Sequence, residues 1–248
     1  MPEMITSPRN EKLKLVRRLA ERRGRDREGL FVTEGEDLLA AGRAAGWIPA
    51  DVLVAAGSGL PGTEVDPGLL ADLSTLASGT RTIAIWALPE PSPPPDGPCV
   101  YLHGVADPGN VGTIIRTATA LLGARVLLGE GCADPWGPKA SRASMGAVFA
   151  ARPQRGATTE APRPRLALDA HGGEDLDAAI EAVRPRTISL GAERDGLDPE
   201  TMAACDAVAT IPVRAGAESL NVAATAAIAL HRVCSAAGAT AAEADEHG

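Results

Sequence analysis

The chain has 248 residues, enough for one large domain or two modest ones, and 45% of them are hydrophobic, enough to bury a core. No apolar run is long enough to span a bilayer and the N-terminal MPEMITSPRNEK lacks the apolar stretch of a signal peptide, so a cytoplasmic protein with no membrane partner is expected. The net charge of −8 argues against a general nucleic-acid coat protein, because non-specific binding draws on phosphate neutralisation.

Aromatic residues make up only 2% of the chain, which predicts a core of Ala, Val, Leu and Ile. Basic side chains concentrate near the start: Arg9, Lys12, Lys14, Arg17, Arg18, Arg22, Arg23, Arg25 and Arg27 are set against only Glu11, Glu21 and Asp26. Such a run is either a solvated helical face or a patch that contacts RNA. Leu13, Val16, Leu19 and Ala20 recur within it at helical spacing, predicting a helix over Glu11 to Arg23. A strand at Leu30 to Thr33, a helix from Glu34 to Ala45, and strands at Asp51 to Ala56 and Thr82 to Ala87 follow. This alternation is that of a small α/β module, assigned to residues 1–88.

Residues 89–98, PEPSPPPDGP, contain six prolines. Neither a helix nor an inner strand tolerates that density, so the stretch is read as a semi-rigid linker. Beyond it, Cys99 to His103 is a buried strand and Thr113 to Leu122 a helix. Arg125 to Leu128, Arg165 to Asp169, Thr187 to Leu190 and Ala207 to Ile211 are further strands, separated by helical segments. The βαβ rhythm predicts a second α/β domain over 99–237, a parallel sheet with helices on both faces. The Ala-rich, acidic residues 238–248 have little to bury and are expected to be a disordered tail.

Cys99, Cys132, Cys205 and Cys234 are scattered, with no CxxC pair and no histidine at ligand spacing. They are read as four buried small hydrophobes, and no metal site is expected. A parallel sheet invites a dinucleotide reading, but the turn after Cys99 to His103 begins Gly104-Val-Ala-Asp-Pro-Gly-Asn-Val-Gly and does not fit G-x-G-x-x-G. Gly129-Glu-Gly131 also fails, with Asp134 where a third glycine would stand. There is no Walker A sequence. Ser219 is not in a G-x-S-x-G elbow, and no histidine is a credible partner for a hydrolase; His103 is read as structural.

Three segments remain, each just after a predicted strand, where open α/β sheets place their ligands. They are Asp107-Pro-Gly-Asn-Val-Gly-Thr-Ile-Ile-Arg-Thr-Ala118, Leu190-Gly-Ala-Glu-Arg-Asp-Gly-Leu197, and Ile211-Pro-Val followed by Glu218-Ser-Leu-Asn-Val-Ala-Ala224. Together, in this order, they resemble the three signature motifs of the SpoU-type (TrmH-like) RNA ribose 2′-O-methyltransferases of the SPOUT superfamily. The resemblance includes Pro138-Lys-Ala-Ser-Arg-Ala-Ser-Met-Gly-Ala-Val-Phe149. It extends more weakly to Glu28-Gly-Leu-Phe-Val-Thr-Glu-Gly35, which looks like that family's accessory RNA-binding domain, a fold similar to certain ribosomal proteins.

The resemblance implies a deep trefoil knot in the parallel-sheet domain, a homodimer with its active site near the subunit interface, and S-adenosylmethionine as cofactor. It implies an RNA substrate, ribosomal RNA being favoured over transfer RNA because an extra RNA-binding module suits a structured target. A catalytically inactive RNA-binding homologue is the alternative of a different class; the intact motif residues speak against it. By resemblance, Gly191, Ile211 and Leu220, with Leu168, Ala192 and Ala223, contact the cofactor. From sequence alone, Ile211 and Leu220 would be core residues.

The polar candidates are Asn110, Arg116, Glu193, Ser219 and Asn221. Arg116 reads either as a surface arginine or as a contact to the RNA phosphate or hydroxyl. A guanidinium does not normally deprotonate, which disfavours it as a base. Asn110 could cap the helix or brace Arg116. Glu193 and Asn221 could bond each other and lock their loops, and Ser219 could meet a phosphate. Arg9, Arg17, Arg18, Arg22 and Arg23 are the candidate RNA contacts. Two positions depart from the family pattern: Arg194, where many relatives have glycine, and Ala223, in place of a common serine.

Overall fold

The computed structural model describes residues 4–75, 79–91, 96–214 and 219–245. In chain order the elements are α1 (Glu11–Leu19), α2 (Arg22–Glu28), β1 (Leu30–Glu34), α3 (Glu36–Ala44), β2 (Asp51–Ala55), β3 (Thr63–Val65), α4 (Pro67–Ala71) and β4 (Thr82–Ala87). There follow β5 (Cys99–Leu102), α5 (Pro108–Leu122), β6 (Arg125–Leu128), α6 (Pro138–Ala143), α7 (Ala147–Ala151), β7 (Gln154–Arg155) and β8 (Arg165–Leu168). The last are β9 (Glu174–Asp175), α8 (Leu176–Val183), β10 (Thr187–Leu190), α9 (Pro199–Ala203), β11 (Ala207–Thr210) and α10 (Val222–Asp245).

The chain forms two compact units: Met1–Glu90 with Asp134–Ala150, and Pro91–Ala133 with Ala151–Gly248. The proline-rich stretch does mark a division, although its residues 92–95 lie outside the described ones. The expected boundary is incomplete, however. Residues 134–150, read above as part of the second domain, belong to the first unit.

The first unit is built on a four-stranded sheet in the order β1-β4-β2-β3. β4 pairs antiparallel with β1 and with β2, while β2 and β3 are parallel. Strand alternation feeds two cores. On one face Val32, Leu53, Ile83 and Ile85 pack with Leu13, Val16 and Leu19 of α1 and Leu70 of α4. On the other, Phe31, Val52, Val54, Ala84 and Trp86 pack with Leu39, and the cover is completed by Trp136, Val148 and Phe149 from the inserted segment.

The expectation of an all-aliphatic core fails here. Of the six aromatic residues of the chain, Phe31, Trp47, Trp86, Trp136 and Phe149 form one set of ring contacts, with Phe31–Trp136 and Trp86–Phe149 centroids each 4.8 Å apart. Composition averages over both units and hides this concentration. Gly42 of α3 makes the layer possible: a Cβ there would lie 2.6 Å from Trp86 and 2.9 Å from Phe149.

The single helix expected over Glu11 to Arg23 is instead α1 and α2. The carbonyls of Leu19 and Ala20 at the end of α1 are taken by the Arg25 guanidinium at 2.7 and 2.9 Å, so the chain turns and brings Arg25 back onto the helix it has just left. Arg25 is 4% exposed, and its Nε and Nη2 also donate to Asp134 Oδ2 at 2.9 and 2.6 Å. Asp134 Oδ1 in turn accepts from the Trp136 amide. One buried arginine thus joins α1, α2 and the entry of the inserted segment.

The second unit holds a seven-stranded sheet in the order β7-β6-β5-β10-β8-β11-β9, every pairing parallel, as the βαβ rhythm predicted. α5 begins at Pro108, five residues earlier than expected, because Asp107 caps it by accepting from the Asn110 amide and Pro108 needs no amide partner at the first helical position. α10 is assigned as far as Asp245, so it runs into the residues expected to form the tail, of which 246–248 lie outside the described ones. Cys99 and Cys132 are buried, and burial pushes the Cys99 thiol up to about 12. Cys205 and Cys234 are half-buried, contrary to the reading of four core cysteines.

Candidate active site

The C-terminal ends of β8 and β10 and the chain that follows β11 open onto one cavity of about 430 Å³. Its walls include Leu168 at the end of β8 with Asp169 and His171 beyond it, Leu190 at the end of β10 with residues 191–196 beyond it, and Ile211, Val213, Ser219, Leu220, Val222 and Thr225. Five of the six expected cofactor contacts are therefore in one wall: Leu168, Gly191, Ala192, Ile211 and Leu220. Ala223 is not; it is buried in the first turn of α10, and its amide donates to Asn221 Oδ1 at 2.9 Å. Ile211 and Leu220 are not core residues either. Ile211 is half-buried, and Val213 and Leu220 are 40% and 36% exposed, apolar surface turned toward the cavity.

Gly191 has a different reason to be glycine than close approach of a ligand. A Cβ there would lie 2.1 Å from the Gly196 carbonyl carbon and 2.3 Å from the Leu197 nitrogen. The loop folds back on itself, closed by Ala192 N to Gly196 O and Gly196 N to Ala192 O, both 3.0 Å. Glycine is what lets the two backbones touch.

Beside the cavity, the three motifs meet in a hydrogen-bonded triangle. Asn110 Nδ2 donates to Glu193 Oε1 at 2.6 Å, and Asn221 Nδ2 donates to the same oxygen at 3.0 Å and to Asn110 Oδ1 at 3.2 Å. Asn221 Oδ1 accepts from the amides of Ala223 and Ala224, capping α10. The expected Glu193–Asn221 bond is present. Asn110 neither caps α5, which Asp107 does, nor braces Arg116. Arg116 is exposed, has no partner among the described residues, and is not in the cavity wall.

Sequence reading missed Asp169, His171, Val213, Asp195 and Thr225. The rule that ligands sit beyond the carboxyl ends of parallel strands points to the first two, which directly follow β8. A second cavity of similar size is lined by Tyr101, His103, Arg155, Asp198 and Thr201, and none of the candidate residues faces it. There His103 Nε2 lies 3.1 Å from Asp198 Oδ2, while Asp198 caps α9. The Thr201 amide holds the Asp198 carboxyl below the usual carboxylate range.

On the first unit, the basic run divides. Arg25 is buried and structural. Arg18 pairs with Glu28 at 3.1 Å and Arg22 with Asp26 at 3.5 Å. Arg9, Arg17 and Arg23 are exposed and face no carboxylate among the described residues; Arg17 donates to the Pro8 carbonyl.

Residues 97–231 match the SpoU rRNA Methylase family, and residues 10–83 match the MRM3-like substrate binding domain. The chain belongs to the SpoU rRNA methylase family. Among its relatives is the Bacillus subtilis 23S rRNA (guanosine(2553)-2′-O)-methyltransferase RlmP, with 28% identity across 93% of this chain and 99% of its own length. An AdoMet-bound rRNA methyltransferase from Sinorhizobium meliloti superposes with a TM-score of 0.81 at 28% identity, covering 93% of this chain and 97% of its own. The SpoU methyltransferase AviRb from Streptomyces viridochromogenes, in complex with AdoMet, gives 0.78 at 26% identity over 91% and 97%. The SpoU match ends at residue 231, so the last turns of α10 lie beyond it.

Proposed function

We propose that this chain transfers a methyl group from S-adenosylmethionine to a ribose 2′-hydroxyl of ribosomal RNA. The observation that carries the reading is the convergence of Asn110 and Asn221 from two motifs on Glu193 of a third, which stands in the cavity wall, in a member of the SpoU family.

The residues present suit the cofactor. A cavity of about 430 Å³ is of the size that encloses small ligands. Leu168, Leu190, Ile211, Val213 and Leu220 offer apolar surface to a nucleobase, and loop backbone at 191–196 offers polar groups. Asp169, Glu193 and Asp195 bring negative charge suited to a cationic ligand. When bound, S-adenosylmethionine supplies an electrophilic methyl group on a sulfonium. The chain's own part is to hold the loops that frame the cavity, to exclude water and to orient the hydroxyl. Asn221 serves the first task by tying α10 to Glu193. We assign Ser219, exposed at the cavity rim, and Arg116, free of described partners, to the RNA phosphates.

We further propose a homodimer, a trefoil knot in the second unit and a cytoplasmic location, as the family resemblance implies. No helix among the described residues is long and apolar enough to cross a membrane, and the described residues include no group of three metal-binding side chains.

The test is transfer of label from radioactive S-adenosylmethionine to deproteinised RNA from cells lacking this gene, separated by size. Label in a ribosomal RNA band supports the reading. Label in transfer RNA replaces the substrate. No transfer to RNA or to ribosomal particles refutes it.

The first unit is assigned to substrate RNA, and its uncompensated cations are the contacts. Neutralising Arg9, Arg17 and Arg23 together is expected to flatten the salt dependence of RNA binding, the slope of log K against log [salt] falling by about 2 to 3. Neutralising the paired Arg18 and Arg22 should change it less. An unchanged slope in the triple variant refutes the assignment.

A further inference from the structure

We propose, resting on the methyl-transfer reading above, that Arg194 binds the carboxylate of the methionine part of S-adenosylmethionine. Arg194 is one of the two positions at which the motifs depart from the family pattern, and nothing described so far uses it. It lines the cavity, is exposed, and makes no hydrogen bond or ion pair with a described residue. Its backbone is held in place. The paired bonds between Ala192 and Gly196 leave residues 193–195 as the tip of a closed loop, and Asn110 and Asn221 tie the neighbouring Glu193. A free guanidinium on a fixed stretch of backbone has less freedom to lose when it takes a ligand.

The charges of the cavity single out this group of the ligand. S-adenosylmethionine carries a sulfonium and an ammonium, both positive, and one carboxylate. The wall sets Asp169, Glu193 and Asp195 against the first two. The same acids repel the third, so the carboxylate needs a cation of its own. Among the described residues of the wall Arg194 is the one arginine or lysine; Arg214, exposed and next in sequence to Val213, is not in the wall. The start of α10 is the other place to which an anion could turn. There Asn221 Oδ1 already takes the amides of Ala223 and Ala224. The guanidinium also has a suitable shape, a planar fork that meets both oxygens of a carboxylate. A glycine at this position, as in many relatives, could not supply that contact.

Calorimetry with three ligands separates the carboxylate from the rest of the molecule. It is run at pH 8 to keep imidazole charge out of the comparison, since His171 stands in the same wall. The ligands are S-adenosylmethionine, S-adenosylhomocysteine, which keeps the carboxylate and lacks the sulfonium charge, and decarboxylated S-adenosylmethionine, which keeps the sulfonium and lacks the carboxylate. Arg194→Gln is expected to weaken the first two by about 10-fold, the scale of one charge-assisted hydrogen bond at an open site, and to leave the third unchanged or tighter. Arg194→Lys should fall between, since it keeps the charge and loses the fork. Arg214→Gln should bind all three as the wild type does.

Equal weakening of all three ligands in Arg194→Gln overturns the proposal and makes Arg194 a support for the loop. Unchanged affinity for all three overturns it too, and weaker RNA binding by the same variant in a filter assay would then assign the arginine to an RNA phosphate. If the wild-type protein binds neither S-adenosylmethionine nor S-adenosylhomocysteine, the methyl-transfer reading fails, and the proposal with it.

Discussion

Replacing Gly191 with alanine is expected to abolish measurable binding of S-adenosylmethionine while leaving the first unit folded. The added methyl would sit 2.1 Å from the Gly196 carbonyl carbon, backbone against which no side-chain rotamer offers relief. The loop must open, and the paired bonds between Ala192 and Gly196 break with it. Residues 190–196 make up much of the cavity wall, so their displacement removes the binding surface itself. A weakening of at least 100-fold, about 2.7 kcal/mol, is expected by calorimetry. Gly196→Ala is the internal control. Gly196 has φ +67° with open space around its Cα, so alanine there meets only the left-handed backbone penalty of about 1–2 kcal/mol. Wild-type affinity in Gly191→Ala would show that this loop does not frame the cofactor.

Arg25→Ala should lower the stability of the first unit by about 3–5 kcal/mol, the usual result of removing one partner from a buried ion pair. Asp134, whose side chain is 16% exposed, would lose the guanidinium it pairs with, and the Leu19 and Ala20 carbonyls their donor. In a unit of this size about 1 kcal/mol moves Tm by several degrees, so the transition should fall by more than about 10 °C in a thermal scan followed by tryptophan fluorescence. All three tryptophans, Trp47, Trp86 and Trp136, belong to this unit and report on it selectively. The double variant Arg25→Met, Asp134→Leu should recover much of the loss, since a buried pair replaced by apolar groups is often neutral. A single variant that melts like the wild type would mean the pair is solvated in solution.

Most of the longer strands, and the three polar residues that meet beside the cavity, were legible in the sequence for physical reasons. TIAIWA and RVLL are short β-rich runs between turn signals, and β4 and β6 fall where they read. Asn110, Glu193 and Asn221 lie 83 and 28 residues apart along the chain, yet each follows a strand of one parallel sheet, so topology brings them together. What could not be read was long-range pairing that leaves no local trace. Trp136 and Phe149 look like ordinary core residues of the segment around them, and nothing nearby says that their partners are Phe31 and Trp86. Arg25 is indistinguishable in sequence from its exposed neighbours Arg23 and Arg27. Only a burial of 96% and a carboxylate 109 residues away set it apart. Ile211 and Leu220 misled in the opposite sense, since apolar side chains predict burial whether the cover is protein or a ligand.

The return of residues 134–150 to the first unit bears on how such proteins are recombined. A gene fusion that exchanges RNA readers at the proline-rich stretch would transplant Phe31 and Trp86 without Trp136, Val148 and Phe149, leaving both halves of an aromatic layer uncovered. The two units are consequently not independent cassettes. A viable chimera needs three crossover points, near 90, 133 and 150, so that the inserted segment travels with the N-terminal sequence it completes.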